Sequence, residues 1–345
     1  MTAAARPAYD SGVRTTLAPI LRVPAPLLGP VLATSLLFAA ASSVTACGPG
    51  ETTGGSGASS TGGSGGSGGT GGAAPDMCDG FGIPETEAGA CNGSALLCDR
   101  RLDEVVFPTT HNAMSNVDEG WIAPNQPHPV VQQLRDGVRG LMLDTHPSAD
   151  GVPSLCHGSC GFGEKPLAEG LGEIATFLRC NPREVVVIIF EAYVTPEETD
   201  AAFVESGLVD LVRVQPPGEP WPTLAELIDK DERLVALTDD PAGTPPYYHH
   251  VWDYAWDTPY AAETPADLKC EVGRGDPANA LFIFNHFLTA PTADVTLAEQ
   301  VNHDPFFLDR TQACSAQMGD LPNFVTVDFY TTGDLFEVVK TLNGL

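Results

Sequence analysis

Val105–His157 decides the fold prediction, through its segments VVFPTTHNAMSN and GVRGLMLDTHPSADGVPSLCH. One apolar run leads into His111 and Asn112, a second ends at Asp144, and a short segment then brings His157. Short buried strands that end in polar residues are typical of a parallel sheet or barrel, which collects such residues at one rim. The stretch therefore predicts a polar site that contains two histidines, a carboxylate and an amide.

The composition limits the class of partner. The chain has 345 residues, 43% of them hydrophobic, and a formal net charge of −28. Strong acidity repels the phosphates of nucleic acids and of bare anionic membranes, so neither is expected as the main partner. If the substrate itself carries a phosphate, a cation has to lie between it and the protein.

The first 76 residues are predicted to export and tether the protein. Arginines precede Val31–Ala41, an apolar stretch with the length of a signal-peptide core. Small residues before Cys47 resemble a bacterial lipobox, so residues 1–46 are expected to be a lipoprotein-type signal peptide with Cys47 as the lipidation site. Residues 47–76 are expected to form a disordered Gly/Ser/Thr linker. We therefore expect an exported bacterial lipoprotein, anchored at the outer membrane or cell surface. An incidental cysteine at an ordinary cleavage site and an uncleaved membrane anchor are the alternatives.

The remaining eight cysteines favour disulfides, because their number is even and the chain is expected to be exported. No pair has C-x-x-C spacing, so a zinc ribbon has little support. We expect local pairing among Cys78, Cys91 and Cys98, and predict the pairs Cys156–Cys180 and Cys270–Cys314.

Residues 77–345 are predicted to form one α/β domain, because apolar runs of strand length alternate with helix-like stretches. The alternation favours a single, irregular TIM-type β/α barrel. An open doubly wound sheet is the alternative, although no G-x-G-x-x-G opens a helix. The predicted strands are Val105–Pro108, Gly140–Asp144, Val185–Glu191, Leu234–Thr238, Leu281–Asn285 and Phe324–Asp328, and the predicted helices are Pro129–Asp136, Pro166–Cys180, Pro196–Val212 and Thr223–Lys230.

Six motifs along the chain carry a family resemblance. THNAMS, QLRDGVRGLMLDTH, LCHG, NPREVVVIIFEAYV, NHF and PNFVTVDFY occur in this order between Leu102 and Tyr330. In that order they resemble phosphatidylinositol-specific phospholipase C X-domain-like proteins of the secreted or anchored type. The resemblance implies a distorted TIM-type barrel that cleaves the glycerol-side phosphodiester of inositol phospholipids through a cyclic inositol phosphate.

The resemblance also implies residue roles. His111 and His157 fall on the two catalytic histidines, and Asn112, Asp144 and Glu191 on metal ligands of the calcium-dependent branch. A further acidic ligand of that branch would fall at Met142, and the arginine of the metal-independent branch would fall at His146. The acidity of the chain favours a metal, Ca²⁺ or Mg²⁺. Strand-end residues complete the predicted site, with Asp328 orienting the base and Asn285, His286 and Tyr330 contacting substrate, although NHF could instead only close the barrel wall.

Phosphoryl transfer explains these residue types. One group has to take a proton from the attacking hydroxyl and another has to protonate the leaving alkoxide, and imidazoles titrate near neutral pH. We assign His111 as base and His157 as acid, with the reverse left open. The predicted substrate is an inositol phospholipid, and the protein is expected to act as a monomer. Glycerophosphodiesters or sphingomyelin, or an inactive headgroup-binding protein that keeps the barrel, are the alternatives.

Overall fold

The structure is a computed structural model that describes residues 77–84, 87–240, 243 and 245–345. The predicted signal peptide (1–46), the lipidation at Cys47 and the linker (47–76) lie outside these residues. Within the described ranges, none of the helices is both long and apolar enough to cross a membrane.

In the described residues ten strands make up one sheet. The longer strands are mostly buried on both faces, as expected of parallel strands covered by helices. The strands are β1 (Phe107–Thr110), β2 (Gly140–Pro147), β3 (Pro153–Leu155), β4 (Lys165–Pro166), β5 (Val186–Ala192), β6 (Leu234–Thr238), β7 (Tyr248–His250), β8 (Ala255–Asp257), β9 (Leu281–Asn285) and β10 (Phe324–Val327).

The strand order curls the sheet into a barrel with one open seam. Eight parallel strands lie in the order β7-β6-β5-β2-β1-β10-β9-β8, so the last strand returns to pair with the first. Among the described residues no ladder joins β7 to β8. β3 and β4 form an antiparallel extension on β2. Neighbouring strands follow chain order around the sheet, which confirms the irregular β/α barrel over a doubly wound sheet.

Helices cover the outer face of the barrel. Residues such as Leu171, Phe177 and Phe203 on the helices belong to the same buried cluster as Ile188 of β5. The α-helices of the described chain are α1 (Val130–Asp136), α2 (Leu167–Cys180), α3 (Pro196–Ser206), α4 (Leu224–Asp229), α5 (Val295–Val301), α6 (Phe306–Met318) and α7 (Leu335–Leu342).

The strands divide their side chains between two cores. On β5, Val186 and Ile188 belong to the outer cluster and Val187 and Ile189 to the inner one. This follows from the alternation of side chains along a strand. The inner layer ends in polar residues where the strands reach their carboxyl ends, such as Glu191 after Ile189. The barrel interior therefore delivers its polar groups to one rim.

The helix prediction needs one correction and several additions. The helix from Pro196 ends at Ser206 instead of Val212, because Gly207 takes a left-handed conformation with φ +68° and caps it. Helices α5, α6 and α7 and the short strands β3, β4, β7 and β8 were not predicted. α6 buries only Phe307, Thr311 and Cys314, so it gives a weak periodic signal. The four missed strands are two or three residues long, which is too short for a periodic pattern.

The four disulfides confirm part of the predicted pairing. Cys270 pairs with Cys314 as predicted, and Cys91 pairs locally with Cys98. The predicted pair Cys156–Cys180 is wrong, since Cys156 pairs with Cys160 and Cys180 with Cys78. Cys156 follows β3 at the carboxyl rim, whereas Cys180 ends the 14-residue helix α2. At 1.5 Å per residue that helix carries the chain about 20 Å away from the rim.

Candidate active site

One cleft at the carboxyl rim of the barrel gathers most of the predicted site. His111 and Asn112 follow β1, Asp144 lies in β2, Glu191 lies in β5 and His157 follows β3, and all five line the cleft. Its volume is about 440 Å³. A narrower recess of about 70 Å³ continues toward the barrel interior. The structure thus brings both predicted histidines and all three predicted metal ligands together.

The ring of His111 is held on two sides. Its Nδ1 lies 3.0 Å from Oδ1 of Asp328, and Asn125 donates to the same oxygen at 3.0 Å. Phe287 stacks on the ring at a centroid distance of 3.9 Å and an angle of 10°. Because a carboxylate only accepts, Nδ1 of His111 carries the proton and Nε2 is free to act in the cleft.

Asn112 lies between the two histidines and Asp144. Its backbone φ of +46° is in the left-handed region, which asparagine tolerates better than most residues. One terminal atom of its amide lies 3.2 Å from Nε2 of His111 and 3.2 Å from Nε2 of His157. The other lies 3.1 and 3.3 Å from the carboxylate oxygens of Asp144. Because the same amide atom contacts both nitrogens, the Nε2 atoms of His111 and His157 lie at most twice 3.2 Å apart.

The orientation of the Asn112 amide depends on the protonation of His111. With its nitrogen toward Asp144, the amide donates to the carboxylate and its oxygen accepts from Nε2–H of both histidines. Since Nδ1–H of His111 already donates to Asp328, that arrangement makes His111 an imidazolium. When His111 is neutral, the amide nitrogen faces the histidines and its oxygen faces Asp144. Two oxygens 3.1 Å apart then need a proton or a cation beside them.

Three carboxylates face the recess without a basic partner. Asp144 is 6% exposed, and its burial, followed by the charges of Glu191 and Asp239, raises its pKa well above the ordinary value. Burial also raises the pKa of Asp239, although Ala192 N–H donates to its Oδ1 at 3.0 Å. Glu191 accepts from the Tyr193 hydroxyl at 2.5 Å. In the described part of the chain no Lys or Arg forms an ion pair with these three, so the recess favours a cation.

The donor set of the recess fits a hard divalent cation, because amide and carboxylate oxygens are the ligands that Ca²⁺ and Mg²⁺ prefer. Met142 also lines the recess but offers no oxygen. His146 lines the outer cleft, where it stacks on Tyr193 at 4.2 Å, and burial lowers its pKa. Neither position therefore supplies a carboxylate or an arginine.

The most compact group of possible metal ligands in the described residues lies elsewhere and is not a metal centre. Cys156, Cys160 and Glu164 present ligand atoms within 4.8 Å of one another, but the two sulfurs are joined as a disulfide. The carboxylates of the recess are spaced more widely than this. That spacing leaves room for water molecules in a coordination shell.

Arg274, a partly exposed arginine that lines the recess, forms an ion pair with the buried Asp257. Arg274 donates to Asp257 at 2.6 and 2.9 Å, and its guanidinium lies over the rings of Trp252 and Tyr260 at 4.6 and 4.5 Å. Among the described residues it is the one Lys or Arg that lines the recess. Asn285, predicted as a substrate contact, lines the recess too and donates to a backbone carbonyl at 2.6 Å.

His286 and Tyr330, also predicted as substrate contacts, lie outside the cleft. His286 is fully buried, donates to Val301 O at 2.9 Å and accepts from Arg310 at 2.8 Å. Burial and then the charge of Arg310 lower its pKa to about 3. The Tyr330 hydroxyl donates to Asp136 at 2.6 Å. His286 follows the inward-facing Asn285 and therefore points outward. Both His286 and Tyr330 thus pack and form hydrogen bonds away from the cleft.

A family model accounts for nearly the whole barrel. The model described as PI-PLC X 1 matches residues 97–343. PI-PLC X domain-containing protein 1 of Arthroderma benhamiae is 30% identical over 293 residues, which cover 76% of this chain and 92% of that protein. This chain belongs to the PI-PLC X family.

Two further matches place the PI-PLC X chain among its relatives. A protein of Arthroderma benhamiae named "Uncharacterized secreted protein" is 30% identical over 292 residues, covering 75% of this chain and 65% of that protein. A solved structure of phosphatidylinositol-specific phospholipase C from Staphylococcus aureus has a TM-score of 0.50 at 16% identity, covering 72% of this chain and 95% of that one. At this identity the likeness shows the fold. Fold and family together support a phospholipase C-like phosphodiesterase role.

Several residues of the PI-PLC X site were absent from the predicted set. Phe287 stands two residues after Asn285, so the period-two alternation of a strand could have marked it as inward-facing. Asp239 directly follows β6, where the strand-end pattern that marked the other carboxylates applies as well. Asn125 and Arg274 lie in irregular segments that carry no periodic signal.

Proposed function

We propose that this PI-PLC X protein is a phospholipase C-type phosphodiesterase that cleaves an inositol phospholipid, or a lipid with a related headgroup. The observation that carries the proposal is the pair of histidines, whose Nε2 atoms both lie 3.2 Å from the Asn112 amide. Displacement at phosphorus needs one group to take a proton and another to give one. Two imidazoles that share one neighbour in a cleft supply both functions.

His111 is the proposed base. Asp328 holds its proton on Nδ1, so the unprotonated Nε2 is available to a substrate hydroxyl. As Nε2 takes the proton of the inositol 2-hydroxyl, the hydroxyl oxygen forms a bond to phosphorus. The charge that develops on the imidazole lies against the Asp328 carboxylate, which stabilises it.

His157 is the proposed acid. The bond between phosphorus and the glycerol oxygen breaks in the same displacement, and His157 Nε2–H donates its proton to the leaving alkoxide. The products are a diacylglycerol and a cyclic inositol phosphate. Burial, and then the charge of His111, lower the pKa of His157. A lowered pKa makes the His157 imidazolium a stronger acid.

A divalent cation, Ca²⁺ or Mg²⁺, is part of the proposal. Asn112, Asp144 and Glu191 would hold it, and Asp239 lies at the same recess. Such an ion supplies positive charge for the phosphoryl oxygens, which the acidic cleft otherwise repels. The chain's own contribution is to fix the ligand side chains at three strand ends and to keep Asp144 largely out of water.

Export is proposed on two supports. Four disulfides are typical of proteins that fold in an oxidising compartment, and one relative is named as a secreted protein. We further propose that Cys47 carries the lipid anchor, which rests on the N-terminal sequence alone. We propose that the protein is a membrane-tethered monomer that acts on phospholipids and not on nucleic acids.

The experiment that tests this function is phosphorus NMR of the products formed from a panel of phosphodiesters, with and without Ca²⁺. The panel contains phosphatidylinositol, a glycerophosphodiester and sphingomyelin. We expect a cyclic phosphate from phosphatidylinositol, formed faster with Ca²⁺, and no product from the His111→Ala variant. A hydrolytic product from another diester would move the function to that headgroup. Binding of headgroups without turnover of any diester would leave a binding protein.

A further inference from the structure

The disulfide Cys156–Cys160 encloses His157 in the smallest covalent loop of the described chain. The two cysteines are separated by four positions, and His157 is the first residue after Cys156. Cys156 is fully buried, and its N–H donates to the backbone oxygen of Asp144 at 3.2 Å. The loop therefore starts from a fixed point on β2, directly beside one of the proposed metal ligands.

At the other end of the loop, Ser159 caps the short 3-10 helix Cys160–Phe162, and the contacts between the two cysteines are local. Gly158 and Ser159 are exposed, and Gly158 takes a left-handed φ of +67° that a side chain would strain. Within the loop Ser159 N–H donates to His157 O at 2.7 Å. No strand or helix of the described residues contains His157. Local contacts alone would leave such a segment mobile.

The two histidines are therefore held in different ways. His111 follows β1, hydrogen-bonds Asp328 and stacks on Phe287. For the His157 ring, the hydrogen-bond partner in the described structure is the amide of Asn112. Proton transfer in a phosphoryl displacement requires both rings to keep their places to within a fraction of an ångström. The Cys156–Cys160 disulfide fixes the chain on both sides of His157 and so supplies a restraint that packing does not.

We propose that the Cys156–Cys160 disulfide is a positioning element for proton donation by His157. The inference rests on the proposed function, because it assigns the disulfide a role in the same reaction. It goes beyond a stabilising cross-link, since a disulfide that closes so short a loop restricts the unfolded chain far less than the long-range pair Cys78–Cys180 does. Removing Cys156–Cys160 is therefore expected to affect turnover more than folding.

The test compares two double variants of the full chain. Cys156→Ala/Cys160→Ala removes the loop closure, and the matched control Cys270→Ala/Cys314→Ala removes a disulfide away from the cleft. On phosphatidylinositol we expect kcat of the first variant to fall about 30-fold to 100-fold with KM within threefold, the loss that a misplaced catalytic group causes. The control is expected to keep kcat within threefold. Equal losses in kcat for both variants would overturn the proposal.

Histidine NMR gives a readout that does not depend on turnover. In the cysteine-free loop the His157 ring signals are expected to shift and broaden, because the ring loses its fixed place beside the Asn112 amide. Unchanged His157 ring signals in a folded variant would contradict the proposal. If the wild type cleaves no phosphodiester, the proposed function fails, whereas the NMR comparison still decides whether the disulfide positions His157.

Discussion

Nδ1 of His111 lies 3.0 Å from Oδ1 of Asp328, and this contact determines which ring nitrogen of His111 faces the cleft. Asp328 is 3% exposed, and Asn125 donates to the same oxygen at 3.0 Å, so the carboxylate itself is fixed. The pair joins the ends of β1 and β10, the first and last strands of the described chain, which are neighbours in the sheet. The pairing of these two strands therefore brings together the groups that select the tautomer.

Replacing Asp328 with Asn is expected to lower kcat by about 10²-fold to 10⁴-fold with little change in KM. The amide can donate to Nδ1 of His111, which favours the tautomer with the proton on Nε2. That tautomer cannot take a proton from the substrate. Steady-state kinetics on phosphatidylinositol measure the effect.

The control for this variant is Asp309→Asn, which changes an exposed carboxylate on α6. It is expected to keep full activity. A folded Asp328→Asn protein with a wild-type kcat would show that His111 does not act as a base from its Nε2.

Calcium is expected to raise the melting temperature of the wild type by about 5–10 °C when present at a hundredfold excess over its dissociation constant. The Asp144→Asn variant is expected to lose this shift, because the amide carries no charge for the ion. Asp150→Asn, an exposed change in the β2–β3 loop, is expected to keep it. Scanning calorimetry with and without Ca²⁺ separates these cases. An equal shift of the melting temperature in all three proteins would contradict a metal site at Asp144.

Without metal, Asp144→Asn is expected to melt a few degrees above the wild type at neutral pH. Burial raises the pKa of Asp144, so its favourable contribution is complete below the unfolded-state pKa and is lost as pH rises through the folded-state pKa. At pH 7 the buried carboxyl group destabilises the fold whether it is ionised or takes up a proton on folding, and the uncharged amide avoids that cost. The advantage should disappear at low pH, and a variant less stable than wild type at pH 7 without metal would contradict it.

The alkaline side of the pH–rate profile is expected to report His157. Its pKa is lowered by burial and by the charge of His111, and an acid works only while protonated. The protonated fraction falls as pH rises through the folded-state pKa, so kcat/KM should begin to decline below about pH 6.5, the ordinary histidine value. A profile from pH 4.5 to 8.5 tests this, and a rate that keeps rising up to pH 8 would exclude His157 as the acid.

His286→Leu is expected to destabilise the protein by about 2–4 kcal/mol while the folded fraction keeps its turnover within about twofold. The change leaves the buried Arg310 guanidinium without its imidazole acceptor, and His286 itself does not reach the cleft. Urea unfolding and kinetics at low temperature measure the two effects. The control His303→Leu, at an exposed histidine, is expected to change stability by less than about 0.5 kcal/mol. A tenfold loss of kcat in folded His286→Leu would return His286 to the site.

The barrel could be predicted from the sequence because the pattern that marks each strand is local. Inward and outward faces alternate along β5, and each parallel strand ends in a polar residue, so Asp144 and Glu191 could be placed at one rim before the structure was known. The same alternation should have separated Asn285, which faces inward, from its neighbour His286, which faces outward.

The rest depended on contacts between segments far apart in the chain. Asn125 reaches Asp328 across 203 positions, and Arg274 reaches back 17 positions to Asp257 from an irregular loop. Neither segment has a period that would fix its direction. The pairing of Cys156 and Cys180 could not be judged from the sequence for the same reason, because the distance between them depends on the course of α2 over the barrel.

The assignment of two histidines to opposite proton transfers is tested most directly by changing the leaving group. We would compare His111→Ala and His157→Ala on two inositol phosphodiesters, one with an alcohol and one with nitrophenol as leaving group. Nitrophenolate departs without protonation, so His157→Ala is expected to come within about tenfold of wild type on that ester while staying about 10²-fold to 10⁴-fold slower on the alcohol ester. His111→Ala is expected to be slow on both. Equal losses for His157→Ala on the two esters, or a wild type that cleaves neither, would contradict the account.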